Sequence, residues 1–195
     1  MNYTGLIEEM KKSGKGLMSK GQYMAMGTVL DNLSPCNFLV FGLGEDAFVW
    51  EEINKGGRTV FLEDDKEWIG KFTNKDLEIY PVEYNTRSED YMKIGFDAEK
   101  LNMELPKEIT DVEWDIIFVD GPLGHNPPRP FKGYGRMKSI SAAHSLLRDG
   151  GICIVDDMGR IIESVYAHHF FGSENLYGLV EGKVGFFTKG ERYNG

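Results

Sequence analysis

Glycines and carboxylates standing at the ends of apolar runs are the residues through which this sequence could do chemistry. Phe41-Gly42-Leu43-Gly44 closes the run Asn37 to Phe41 and precedes a helix-like stretch. Glycines there let backbone N–H groups approach a ligand without a Cβ in the way. Glu63 ends a second run, Arg58 to Glu63, about 20 residues further on, where a carboxylate can accept both ribose hydroxyls of an adenosine cofactor. Asp64 follows it and shares the expectation. With Asp65 it could equally form a solvated cap on the next helix. Phe41, Gly42, Gly44, Glu63 and Asp64 are therefore the expected cofactor cradle, joined by Asp120 from a later strand.

Asp120 ends the run Asp115 to Val119, and Asp156 and Asp157 end Gly151 to Val155. If these strands are neighbours across a topological switch point, their carboxyl ends meet in one crevice. Asp120, Asp156 and Asp157 could then hold a hard divalent cation that lowers the pKa of a substrate hydroxyl. One of them could instead act as a general base or hold a cofactor amine, and capping of the following helices is the plain alternative. The catalytic candidates are Asp120, Asp157 and His125, whose neutral imidazole can take a hydroxyl proton near pH 7. Arg129, Arg136 and Arg160 are candidates for binding an acidic substrate, because a guanidinium matches a carboxylate in a bidentate fork. Lys132 belongs to the same basic set and could as well be solvated surface.

Such residues need a sheet to converge them. The 195 residues suit one domain, with 1–35 as an N-terminal helical segment packed on it. Apolar residues make up 41% and charged ones 27%, an ordinary globular balance. Short Val-, Ile- and Phe-rich runs alternate with helix-like stretches, which predicts an α/β domain with a mostly parallel sheet. Phe38-Leu39-Val40-Phe41 is apolar throughout, so that strand should be buried on both faces at the centre. Asp46 is expected to cap a helix running to Ile53. Leu77 to Tyr84 reads as a strand whose Pro81 places it at an edge or bulge. The stretch from Thr86 to Glu113 is polar and weakly periodic. Between Gly121 and Gly135 stand four prolines and four glycines, a loop that should shape a site. A helix from Arg136 to Leu147, closed by Gly150-Gly151, precedes the next strand. Another helix spans Ile161 to Phe170, and Leu176 to Val180 and Val184 to Thr188 form a hairpin.

The turn and Glu63 would also suit NAD, since Ala47 is a tolerated third position of the dinucleotide fingerprint. The terminal antiparallel hairpin favours S-adenosylmethionine instead, and with it a Rossmann-like class I methyltransferase fold of seven strands. A formal charge of -9 with scattered basic residues argues against a nucleic-acid partner. The start, Met1 to Met10, carries neither a basic nor an apolar targeting pattern, and no run nears the ~20 apolar residues of a membrane span. The expectation is a soluble, cytoplasmic protein with no membrane partner. Cys36 and Cys153 sit in or beside apolar runs and are expected to be reduced core residues. Oligomeric state is open.

The block Ser34-Pro35-Cys36-Asn37-Phe38-Leu39-Val40-Phe41-Gly42-Leu43-Gly44-Glu45-Asp46, then Trp50, then Gly57 to Asp65, closely resembles the plant glucuronoxylan 4-O-methyltransferase family, the polysaccharide-biosynthesis DUF579 family. The similarity resumes at Tyr84-Asn85-Thr86, Trp114-Asp115-Ile116-Ile117, Asp120-Gly121-Pro122, Gly135-Arg136-Met137 and Asp157-Met158-Gly159-Arg160, covering about Gln22 to Glu163. It implies methyl transfer from S-adenosylmethionine to a sugar hydroxyl, the 4-OH of a glucuronate residue being the family's activity. A uronate carboxylate would then be the partner of Arg129, Arg136 or Arg160. Plant members carry an N-terminal Golgi anchor that is not read here. Asp156 stands where they usually have histidine, and Leu123 where they often have lysine or arginine. A small-molecule acceptor, a cyclisation and a non-catalytic cofactor-binding scaffold are the alternatives.

Overall fold

The computed structural model describes residues 3–72, 75–123 and 133–190. Seven strands, β1 (Asn37–Phe41), β2 (Arg58–Glu63), β3 (Glu78–Pro81), β4 (Trp114–Val119), β5 (Leu147–Val155), β6 (Leu176–Val180) and β7 (Val184–Thr188), form one sheet. Its order is β3-β2-β1-β4-β5-β7-β6. The first five strands are parallel and β7 runs antiparallel between β5 and β6. The chain thus reverses its direction of winding between β1 and β4, which opens a crevice at their carboxyl ends.

Strand side chains alternate between the two faces, and both are covered. Phe38, Val40, Phe61, Ile116, Phe118 and Ile154 share one apolar cluster, and Leu39, Phe41, Leu62, Ile117, Val119 and Val155 the other. On the first face lie α1 (Tyr3–Lys12), α2 (Lys20–Leu33) and α3 (Ala47–Ile53), which contribute Ile7, Tyr23, Met26, Leu30 and Trp50 to the same cluster. The N-terminal helices are therefore continuous with the core. Trp50 is 1% exposed, and its truncation to Ala should cost about 3–5 kcal/mol. A capping box starts α2: the Ser19 side chain accepts from the Gln22 N–H, and Gln22 reaches back to the Ser19 N–H. On the opposite face, α8 (Met137–Leu146) and α9 (Ile161–Phe171) supply Met137, Ile140, Tyr166 and Phe171.

The hairpin has the expected bounds, and Glu181 and Gly182 take the positive φ of +53° and +67° that its turn requires. Strand β3 is the sheet edge, as Pro81 suggested, but it is shorter than expected. Three local expectations are corrected. The Asp46 side chain makes no capping bond; it is buried and turned toward Tyr23 instead. The helix expected to reach Leu147 ends one residue earlier, because Leu147 is buried and pairs with Trp114 as the first residue of β5. Gly151 therefore lies inside that strand. The stretch after Thr86 holds only short helices, α5 (Tyr91–Ile94), α6 (Ala98–Leu101) and α7 (Lys107–Thr110), while α4 (Lys66–Gly70) follows β2. Among the described residues no helix is long and apolar enough to cross a membrane.

Candidate active site

The floor of the crevice is made where β1 and β4 end side by side. The N–H groups of Asp120 and Gly121 both donate to the Phe41 carbonyl, at 2.9 and 2.5 Å, and the Gly42 N–H donates to Leu62 O at 2.7 Å. Gly42 has φ +112°, a conformation L side chains rarely adopt. A Cβ on Gly121 would come within 2.8 Å of Gly42 N, so the two glycines are packed backbone to backbone. A side chain at Gly121 would collide with the backbone of Phe41 and Gly42 and force the two strand ends apart.

Glu63 closes one side of the crevice. Its Oε2 accepts from the Leu43 N–H at 2.9 Å, and its Oε1 from the N–H groups of Asp64 and Asp65 at 2.9 and 3.0 Å. A carboxylate has about four lone-pair sites, so these bonds fix its direction and leave acceptor capacity for a ligand hydroxyl. Burial raises the Glu63 pKa, and the three backbone donors oppose that rise. Asp64 stands half-buried beside it, and Asp65 caps α4 by accepting from the Glu67 and Trp68 N–H groups. The indole of Trp68 donates to Leu43 O at 2.5 Å and ties that helix to the turn.

Arg136 organises the other side. It is 2% exposed, and its Nε donates to Pro122 O at 3.0 Å and its Nη1 to Asp156 O at 3.1 Å. Its Nη2 lies 3.1 Å from both Asp120 Oδ1 and Asp157 Oδ2, and Nε lies 4.0 Å from the buried Glu163 carboxylate. Burial works against the charge of Arg136, but Asp120, Asp157, Glu163 and Asp156 outweigh it and raise its pKa. Where the sequence suggested a substrate contact for Arg136, the structure shows its planar fork taken up in clamping the loops after β4 and β5.

Asp120, Asp156 and Asp157 do converge, each offering an oxygen within 4.8 Å of the others. Asp157 adopts φ +60° and pairs with Arg160 at 2.8 Å as well as with Arg136. Asp156 has no such ion pair among the described residues. Burial, then the neighbouring Asp120 and Asp157 carboxylates, push it up to about 7. Burial also raises Asp120, against the opposing pull of Arg136. Arg160 is 29% exposed in its side chain and stands at the rim, with Nη1 3.7 Å from Glu163. His125, Arg129 and Lys132 lie outside the described residues. A cavity of about 520 Å³ beside Thr86, Lys93 and Lys138 is lined by none of the strand-end carboxylates.

Sequence reasoning missed Glu163, whose only signal is the i,i+3 spacing Asp157, Arg160, Glu163. It also missed Gly121 as the partner of Gly42.

A sheet of this order, with its crevice between a glycine turn and converging carboxylates, is the class I methyltransferase fold. The same fold is seen in the MycE methyltransferase of the mycinamycin pathway, solved with Mg, S-adenosylhomocysteine and mycinamycin VI. That likeness has a TM-score of 0.54 at 18% identity, over 97% of this chain and 49% of that one. A 16S rRNA N2 G1207 methyltransferase of T. thermophilus gives 0.52 at 15%, over 90% and 44%. The chain belongs to the IRX15/IRX15L/GXM family, whose profile matches residues 22–103 and 93–187. Glucuronoxylan 4-O-methyltransferase 2 of Arabidopsis thaliana is 39% identical over 165 residues, 73% of this chain and 56% of the relative. Arabinogalactan O-methyltransferase 2 of the same plant is 35% identical over 170 residues, 73% and 57%. The chain thus spans little more than half the length of these relatives.

Proposed function

We propose that this chain is an S-adenosylmethionine-dependent O-methyltransferase acting on a sugar hydroxyl, with the 4-OH of a glucuronate-type residue in a glycan as acceptor. The observation that carries the reading is the meeting of the Gly42–Gly121 turn and Glu63 with an excess of strand-end carboxylates around one clamped arginine. The cofactor supplies an electrophilic methyl group on a sulfonium, and a carboxylate-rich crevice suits a cationic ligand. The names of the relatives supply the acceptor class.

Within this reading, Gly42 and Gly44 seat the cofactor through backbone groups and Glu63 accepts from its ribose. Asp156, the strand-end carboxylate without an ion pair, receives the acceptor's hydroxyl proton. Asp157 is held by two arginines and orients the loop. Arg160, part-exposed beside Asp157, meets the uronate carboxylate in this reading, together with Arg129. Most of the acceleration comes from aligning hydroxyl, methyl and sulfur in line.

A second reading adds a divalent cation, favoured by the 4.8 Å grouping of Asp120, Asp156 and Asp157. The Arg136 guanidinium already neutralises two of the three. Calorimetry with S-adenosylmethionine, S-adenosylhomocysteine and NAD, with and without EDTA and Mg²⁺, tests both readings. Preferential binding of NAD would overturn the first, and affinity indifferent to EDTA and Mg²⁺ would count against the second.

A further inference from the structure

One carboxylate at the turn is used by neither the Glu63 cradle nor the arginine clamp. Asp46 is 7% exposed and Tyr23 1%. The Tyr23 hydroxyl donates to Asp46 Oδ2 at 3.0 Å, reaching across from α2. The other oxygen, Oδ1, lies against Gly44, where an added Cβ would collide with it. Leu43 is held by Glu63 and Gly44 is backed by Asp46, so the turn carries a carboxylate on each side.

Asp46 has no cationic partner among the described residues. The charge acting on it is the like charge of Glu45, and its own field reaches Asp120. A buried carboxylate facing other carboxylates is costly unless a cation arrives. The donors that reach it are neutral, the Tyr23 phenol and the Trp50 side chain, and they orient the group without neutralising it. Helix α3 supplies no full counter-charge: it spans seven residues, and the Asp46 side chain makes no capping bond to it. A cation close to Gly44 would supply the missing charge.

We infer that Asp46, oriented by Tyr23, receives the α-ammonium group at the amino-acid end of the cofactor. This rests on the S-adenosylmethionine reading above. Glu63 then reads the ribose at Leu43, and Asp46 reads the amino-acid end at Gly44. Asp46 is a cofactor-binding residue, and Tyr23 is the positioning residue behind it.

The test pairs protein and ligand deletions in calorimetry. The ligands are S-adenosylhomocysteine, its desamino analogue with hydrogen in place of the ammonium, and 5′-methylthioadenosine, which lacks the amino-acid end. The wild-type chain should prefer S-adenosylhomocysteine to the desamino analogue by about tenfold or more, the scale of a charge-assisted hydrogen bond. In Asp46→Asn that preference should collapse, while affinity for 5′-methylthioadenosine stays within about threefold of wild type. Tyr23→Phe should reduce the preference in part, which loss of packing alone would not do selectively. Should Asp46→Asn fail to fold, the wild-type preference and Tyr23→Phe decide. A wild-type chain without the preference, or variants that keep it in full, would overturn the assignment of Asp46. A wild-type chain that binds none of the three would instead overturn the cofactor reading beneath it.

Discussion

Replacing Arg136 by Met separates the clamp seen in the structure from the substrate contact expected of that residue. The side chain is 2% exposed and its nitrogens reach Pro122 O, Asp156 O, Asp120, Asp157 and Glu163. Methionine fills similar space but leaves carboxylates without their counter-charge and two carbonyls without a donor. Removing one partner from a buried ion pair costs about 3–5 kcal/mol. For a chain of this size each kcal/mol lowers Tm by about 2–4 °C, so the melting point should fall by roughly 6–20 °C. The deficit should also depend on pH. Burial already raises the folded-state pKa values of Asp120 and Glu163, and without the opposing Arg136 they rise further. A raised carboxylate contributes stability at low pH that is lost as pH rises through its folded pKa. The gap in Tm between wild type and Arg136→Met should therefore narrow from pH 8 to pH 5.5 in a calorimetric series. A variant that melts with the wild type at every pH, yet loses affinity for an acidic acceptor, would refute the clamp and restore Arg136 as a substrate residue.

Glu63→Ala should weaken S-adenosylmethionine binding by about 1–3 kcal/mol in calorimetry, because a charged acceptor held by three backbone donors is lost; unchanged affinity would remove Glu63 from the site. Gly121→Ala places a methyl group 2.8 Å from Gly42 N and 3.0 Å from Gly42 Cα, backbone atoms that can move only with the turn. It should lower stability by about 1–3 kcal/mol in denaturant titration and weaken cofactor binding as well, and a neutral outcome would show that the glycine contact is not needed. Asp156 is pushed up to about 7 by burial and its acidic neighbours, so its contribution to stability is lost as pH rises from about 4 through about 7. The stability of Asp156→Asn relative to wild type should accordingly improve across that window, and a pH-independent difference would contradict the shift.

The sheet was largely legible because its signals are local. Phe38-Leu39-Val40-Phe41 is apolar on both faces since helices cover both, and turn residues bound the terminal hairpin on each side. The strand-end carboxylates followed from strand order alone. What the sequence hid depends on distant partners. Arg136 looked available because the groups that bind it come from the separate loops after β4 and β5 and from α9. Asp46 looked like a helix cap because the residues after it read as a helix, whereas Tyr23, which redirects it, stands 23 positions earlier. Leu147 continued a helical pattern and became a strand residue through pairing with Trp114. The helices between Thr86 and Glu113 span four residues each, too few for a period to show.

Methyl transfer itself is the most direct measurement. The chain should be incubated with S-adenosylmethionine labelled on its methyl group and with oligosaccharides bearing or lacking glucuronate. Label is expected on the glucuronate-bearing oligosaccharide, at the 4-oxygen, and not on its neutral counterpart. Label on neither, while S-adenosylmethionine still binds, would contradict a sugar O-methyltransferase and leave a cofactor-binding scaffold or a different acceptor.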